Sequence, residues 1–188
     1  MRQHGPVRPT TPTPQPVTDP LTVAALDTER HVAAAGWDQN PRLFALVSTA
    51  DLMEREPHLR AQRHGSDLAP GALSAIEQED LPRTSHLESL LGGIAWPEAV
   101  LGAALAVERV VVPPEAERDL PLDPEQAVDA LSRDPRRQDV QLLVAVTRDG
   151  RARCLLRQRA HDSDDRVALG EDIAPGLVQA LRATFSDD

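Results

Sequence analysis

The run His161-Asp162-Ser163-Asp164-Asp165 gathers an imidazole and three carboxylates within five consecutive positions. Oxygen-rich runs of this kind suit hard cations such as Ca²⁺ or Mg²⁺. The run lacks the spaced acids, the turn glycine and the terminal glutamate of an EF-hand loop, and no second histidine stands at ligand spacing. A solvated acidic turn, its aspartates pointing apart into water, is the plainer reading, and no metal site is assigned. Arg151, Arg153, Arg157 and Arg159 form a second group. Their equal parity puts them on one face of a strand. They could grip a phosphate or a carboxylate-rich partner, or simply stud an exposed face or edge strand, which suppresses aggregation. Glu108-Arg109 interrupts an apolar strand. Charges avoid interiors unless paired, so one side chain is expected to face solvent and the other to form a structural ion pair. The candidate ligand or interaction residues are therefore His161, Asp162, Asp164, Asp165, Arg153, Arg157 and Glu108, with no catalytic residue assigned.

Composition narrows the chemistry further. All 20 basic residues are arginine, so lysine Schiff bases, lysine general bases and a P-loop lysine are excluded. The aromatic content is 2%, with no tyrosine, which largely excludes base-stacking platforms and aromatic cages. A formal charge of −10 repels nucleic acid and anionic membranes. Cys154 is the single cysteine, so there is no internal disulfide and no multi-cysteine zinc site, and a buried thiol fits a reducing compartment. Its mid-strand place between Ala152 and Leu156 argues for an inert thiol. His31 reads as a core-edge or surface histidine. Neither a nucleophile elbow nor a dinucleotide or phosphate loop is present, and no cofactor is implied.

These residues need elements to hold them. Residues 1–18 carry Pro6, Pro9, Pro12, Pro14 and Pro16 and read as a disordered tail. Asp19-Pro20 is an N-cap and first helical residue, and Leu21, Ala25, Thr28 and Val32 follow at helical spacing, so 20–35 is a helix closed by Gly36. Arg42–Val47 reads as a buried strand. Ser48 and Asp51 open a short helix that ends near Pro57. Residues 58–72 read as loop and Leu73–Glu79 as a strand. Ser85-His86-Leu87-Glu88 is a capping box for a helix whose face is Leu87, Leu90, Leu91 and Ile94. Leu101–Val112 is a strand stopped by Pro113-Pro114. Asp123 starts a helix that turns Ala127, Val128 and Leu131 inward. Val140–Val146 and Ala152–Arg159 form a hairpin, for which Asp149-Gly150 predicts a type I′ turn. Pro175–Phe185 is an amphipathic helix. The expectation is a single α+β domain over 19–188, with a central mixed or mainly antiparallel sheet of about five strands and flanking helices. An α/β fold is the alternative.

Several stretches carry a family resemblance: Glu29-Arg30-His31-Val32, Ala35–Gln39, Pro41–Val47, Glu77–Pro82, Ile94–Pro97, Gly102–Arg109, Pro113-Pro114, Arg148-Asp149-Gly150 and His161-Asp162. Over about residues 20–185 the chain resembles a family of small uncharacterised actinobacterial proteins. It departs from the family pattern at Asn40 and Asp134, where the family has Pro and His. The resemblance carries no assigned activity, cofactor or catalytic residue. Members tend to be encoded near a predicted membrane protein and a PDZ-type protease, which implies an accessory role in the envelope or in protein quality control.

With no signal sequence or membrane span, a cytoplasmic location is expected. The leading expectation is a non-enzymatic accessory or protein-interaction domain, monomeric or homodimeric, with an unknown protein partner, no nucleic acid and no direct membrane insertion. The rival is a cation-dependent enzyme or ligand-binding protein built on the His161–Asp165 loop.

Overall fold

The structure, a computed structural model, describes residues 19–62, 69–78, 81 and 86–186. The expected tail at 1–18, part of the expected loop at 63–68, the end of the expected strand at Glu79 and the capping Ser85 lie outside the described residues.

The chain enters through α1 (Pro20–Ala34), capped as its sequence predicts: the Asp19 carboxylate accepts from Thr22 N at 3.2 Å and from Thr22 Oγ1 at 2.7 Å. Strand β1 (Arg42–Ser48) leads into α2 (Thr49–Arg55), whose N-cap Ser48 accepts from the amide of Asp51. A 3-10 turn over Pro57–Gln62 occupies the start of the stretch expected to be loop. Then come β2 (Leu73–Glu77), α3 (Leu87–Leu91) and the long β3 (Val100–Val111). Helices α4 (Pro114–Arg118) and α5 (Pro124–Arg133) precede the hairpin of β4 (Gln138–Thr147) and β5 (Ala152–Gln158). Two 3-10 turns, Arg159–His161 and Asp164–Arg166, connect to β6 (Ala168–Gly170), and α6 (Pro175–Ala183) closes the fold. The sequence reading missed α4 because Pro113-Pro114 looked like a stop. Proline at the first helical position starts a helix as readily as it ends a strand.

The six strands form one sheet in the order β2-β1-β3-β4-β5-β6. Every neighbouring pair is antiparallel, so the domain is α+β and the α/β alternative falls. One face carries α1 over Phe44, Leu46, Ala104, Ala106, Leu143, Ala145 and Leu155. The other carries α3 and α6 over Leu43, Ala103, Leu105, Val107, Val144 and Cys154. A helix of α3's length has little stability by itself. Its Leu87 and Leu91 are fully buried, each contributing about 1.5–3 kcal/mol. The aromatic pair Trp96 and Phe185 stacks at 6.0 Å, and Trp96 Nε1 donates to Thr184 Oγ1 at 2.9 Å, which fastens the end of α6.

Two local expectations are corrected. The hairpin turn is not type I′, which needs positive φ at both central residues. Gly150 (φ 94°) has it, but Asp149 does not. Gly150 N donates to Thr147 O and Thr147 N to Arg151 O, both at 2.9 Å. This is a three-residue loop in which Gly150 supplies the left-handed position of a bulge. Helix α5 does not turn Val128 inward. None of its residues is buried, Val128 is 61% exposed, and Ala127 and Leu131 are half-buried.

Gly102 sits where β1 carries a register shift between Leu46 and Val47. A Cβ there would lie 2.4 Å from the Val146 carbonyl oxygen and 3.3 Å from Leu46 Cδ1. Backbone at that distance cannot yield without moving the sheet. Gly102→Ala is therefore expected to lower the unfolding free energy by about 1–3 kcal/mol. Urea denaturation read by circular dichroism measures it, and an unchanged midpoint would contradict the close approach.

Candidate functional site: a buried arginine and its carboxylates

On the α1 face, strand alternation aligns Ala104, Ala106 and Glu108 of β3, Ala145, Leu143 and Gln141 of β4, and Leu155 and Arg157 of β5. The register sets Glu108 opposite Gln141 and Gln141 opposite Arg157. Small and apolar side chains thus give way to a polar row, Glu108–Gln141–Arg157, at one end of the sheet. The C-terminal half of α1 supplies the complement. Glu29 lies within the stripe Leu21, Ala25, Thr28 and Val32, all of them buried.

Arg157 and Glu29 meet with side chains only 3% and 2% exposed. Arg157 Nε donates to Glu29 Oε1 at 2.5 Å and Nη2 to Oε2 at 3.0 Å, a two-pronged pairing. Nη1 also donates to Asp162 Oδ1 at 3.0 Å, and Nη2 to Asp164 Oδ1 at 2.6 Å. The Glu29 hydrogen bonds, with those of Asp164 and Asp162, hold Arg157 charged well above the usual arginine range. Asp162 is lowered, chiefly by the Trp37 indole, whose Nε1 donates to Oδ2 at 2.9 Å, and also by Arg157.

Trp37 belongs to a loop clasped from below. Glu108 accepts the backbone amides of Asp38 and Gln39, each at 3.0 Å. Gln39 Nε2 donates to the Val32 carbonyl at 2.9 Å, closing the end of α1. Asp38 adopts a left-handed φ of 64° and pairs both carboxylate oxygens with Arg159 at 3.0 and 3.1 Å. The Arg159 guanidinium in turn lies 5.5 Å from the centre of the Trp37 ring.

The expected site residues separate into three groups. Arg157, Asp162, Asp164 and Glu108 come together beneath α1 and its following loop. Arg153 stands near the N-terminal end of α1, where Nε donates to Thr22 Oγ1 at 2.9 Å, Nη1 to Glu171 Oε1 at 2.9 Å, and Nη2 lies 3.2 Å from Asp19 Oδ2. His161 and Asp165 are exposed outside both groups. Three readings change. The arginine face is covered by α1 at Arg153 and Arg157, with Leu155 on the same side, while Arg151 and Arg159 at its two ends are exposed, so the expected exposed face or edge holds only at those ends. Asp162 and Asp164 do not point apart, because the guanidinium draws both inward. Glu108 binds the backbone amides of Asp38 and Gln39, where the expectation for Glu108-Arg109 was one side chain in solvent and the other in a structural ion pair. Cys154 is buried, its Sγ 3.8 Å from the Glu171 carbonyl, and burial raises its pKa. His31 is a surface residue with Nε2 3.2 Å from Arg42 Nη2.

The sequence reading missed Glu29, Trp37 and Gln141. A signal for Glu29 was available: a carboxylate four residues after Ala25 and three before Val32 lies on the buried stripe and demands a cation. Gln141 is also buried, and among the described residues its Oε1 has no hydrogen-bond donor.

Chemically, the cluster holds one buried positive charge against three carboxylates, and a guanidinium fills the central place that a cation would take. Among the described residues, no group of three or more His, Cys, Asp or Glu side chains is arranged to hold a metal ion. Thermal melts in EDTA and in millimolar Ca²⁺, Mg²⁺ or Mn²⁺ are expected to coincide. A midpoint raised by several degrees in one cation, and abolished by Asp162→Asn with Asp164→Asn, would show a cation competing for these oxygens.

Removing Arg157 leaves Glu29 buried without a partner. Arg157→Met is expected to cost about 3–5 kcal/mol by chemical denaturation. The acid side of the stability profile carries the signature of Asp162. Its folded-state pKa lies below the ordinary value of 3.8, so its contribution is complete above that value and fades as pH falls through the lowered one. Asp162→Asn should flatten the profile in that acid range and leave its shape above pH ~5 unchanged. A wild-type slope retained in the variant would place the titrating group elsewhere.

No curated protein and no solved structure was found to match the chain. The family model described as PPA1309-like protein matches residues 21–186, which spans the whole described domain except its first and capping positions. The chain belongs to the PPA1309-like protein family.

Proposed function

We propose that this domain is a non-enzymatic accessory module that acts by binding another protein. The observation that carries the reading is a division of labour between its polar and apolar groups. The residues best suited to chemistry are engaged with one another: Arg157 with Glu29, Asp162 and Asp164, and Glu108 with the amides of Asp38 and Gln39. Apolar side chains meanwhile stand in solvent around α5, with Leu122 fully exposed just before it and Val128 on it. Isolated exposed apolar residues are ordinary. A helix with an apolar stripe and no buried residue is less so, because helices gain most of their stability by burying that stripe. The charge of −10 supports a protein partner over nucleic acid. No described helix is long and apolar enough to cross a membrane; a cytoplasmic location and a monomeric or homodimeric state belong to the same proposal.

The test is affinity capture from cells that express the protein, with bound proteins quantified by mass spectrometry for the wild type, Val128→Asp with Leu122→Ser, and Glu56→Gln as a distant surface control. A partner held by the wild type and the control, and reduced at least about tenfold by the α5 variant, is expected. Equal capture by all three proteins would remove α5 from the reading. Turnover of a substrate lost in Arg157→Lys would replace the reading with an enzymatic one.

A further inference from the structure

A second polar locus lies outside the buried cluster, where β4 begins and β5 gives way to its 3-10 turn. A hollow of about 330 Å³ there is lined by Arg137, Gln138, Asp139, Gln158, Arg159 and His161, with Ala160. We propose that this hollow binds a phosphate group. The proposal stands apart from the partner reading above, since it concerns different residues and a different class of ligand.

The lining is rich in donors that the fold leaves unspent. Arg137 donates through Nη1 to the Ser132 carbonyl at 2.8 Å, and among the described residues no carboxylate forms an ion pair with it. Its other N–H groups remain for a ligand. The His161 side chain likewise makes no hydrogen bond or ion pair among the described residues, although its backbone carbonyl accepts from Ser163 N. Gln158 Nε2 donates to Gln138 Oε1 at 3.2 Å, which aligns the two amides and leaves the Gln138 NH₂ pointing its protons elsewhere.

The one carboxylate in the lining is Asp139, with Oδ2 3.9 Å from Arg159 Nη1. Arg159 is also paired with Asp38, so it offsets Asp139 and adds little further charge. The positive charge left to the hollow is therefore that of Arg137. That single guanidinium stands on a chain of −10, and its charge acts only within about 8 Å at physiological salt. Such a locus favours a compact anion drawn in at contact range over an extended acidic surface held at a distance. Donors from a guanidinium, an imidazole and an amide, set around a hollow, match the tetrahedral oxygens of phosphate better than the two oxygens of a planar carboxylate.

The test uses the ¹⁵N-labelled full-length chain at constant pH and ionic strength, titrated with inorganic phosphate, N-acetyl-phosphoserine amide or succinate. A saturable shift confined to the amides of 137–139 and 158–161 is expected. Arg137→Ala should weaken it at least about tenfold, Arg137→Lys should recover part of the loss, and Arg30→Ala should change nothing. Arg137 is exposed, so the variant is expected to keep the wild-type melting temperature, and the same sample reports it. Tighter binding of the phosphoserine compound would assign the site to a phosphorylated side chain, and tighter binding of inorganic phosphate to a free anion; both support the proposal. Shifts that rise without saturating, or persist in Arg137→Ala, would mean an adventitious ion only and overturn it. So would succinate binding more tightly than either phosphate.

Discussion

The structure depends on a buried carboxylate having a buried cation. Glu29 points from the apolar stripe of α1 into the sheet, and an ionised carboxylate there without a partner would be untenable. Arg157 meets it from β5 with a planar fork that engages both oxygens. That contact sets the rotation and height of α1 over the sheet more sharply than Leu21, Ala25 and Val32 can, because apolar packing tolerates sliding and a two-pronged pair does not. The small residues Ala104, Ala106 and Ala145 then leave room for the helix to lie close.

From this pair, order spreads to segments with little core of their own. The spare donors of Arg157 hold Asp162 and Asp164, so the irregular chain between β5 and β6 is fixed by charge where it lacks apolar anchors. Asp162 in turn receives the Trp37 indole, and Glu108 receives the amides that follow Trp37. Loops on opposite sides of the arginine are therefore joined through one side chain. A buried ion pair is weak evidence for net stability, since a well-packed apolar substitute often does as well. What this one supplies is a unique arrangement of five segments: α1, the Trp37 loop, the end of β3, β5 and the acidic run.

Much of the frame was legible in the sequence because local rules decided it. Asp19-Pro20 marked the start of α1, Ser48 that of α2 and Asp123-Pro124 that of α5, each through a cap whose geometry involves only near neighbours. The apolar run of Arg42–Val47 and the turn signal between Val140–Val146 and Ala152–Arg159 gave strands. The failures share a cause: they required knowing what lay across the sheet. Equal parity placed Arg153 and Arg157 on one face correctly, but only α1 on that face makes Arg157 buried. The periodicity of α5 forecast an inward Val128, while the sheet ends before it could cover that side. Asp149-Gly150 announced a tight turn, and whether one or two residues took positive φ was settled by the register of β4 on β5. The acidic run showed its charges without showing their common partner, which lies five residues before Asp162 on a neighbouring strand.

The partners in the central pair stand 128 residues apart in the chain. During synthesis α1 leaves the ribosome before β5, and its counterpart follows only when most of the domain has been made. Until then Glu29 has no guanidinium to meet, and α1 has no stable seat on a sheet that still lacks β4 and β5. Until β5 follows, Leu21, Ala25 and Val32 have no complete sheet to pack against. The closing step is not the formation of α1 but its capture by β5.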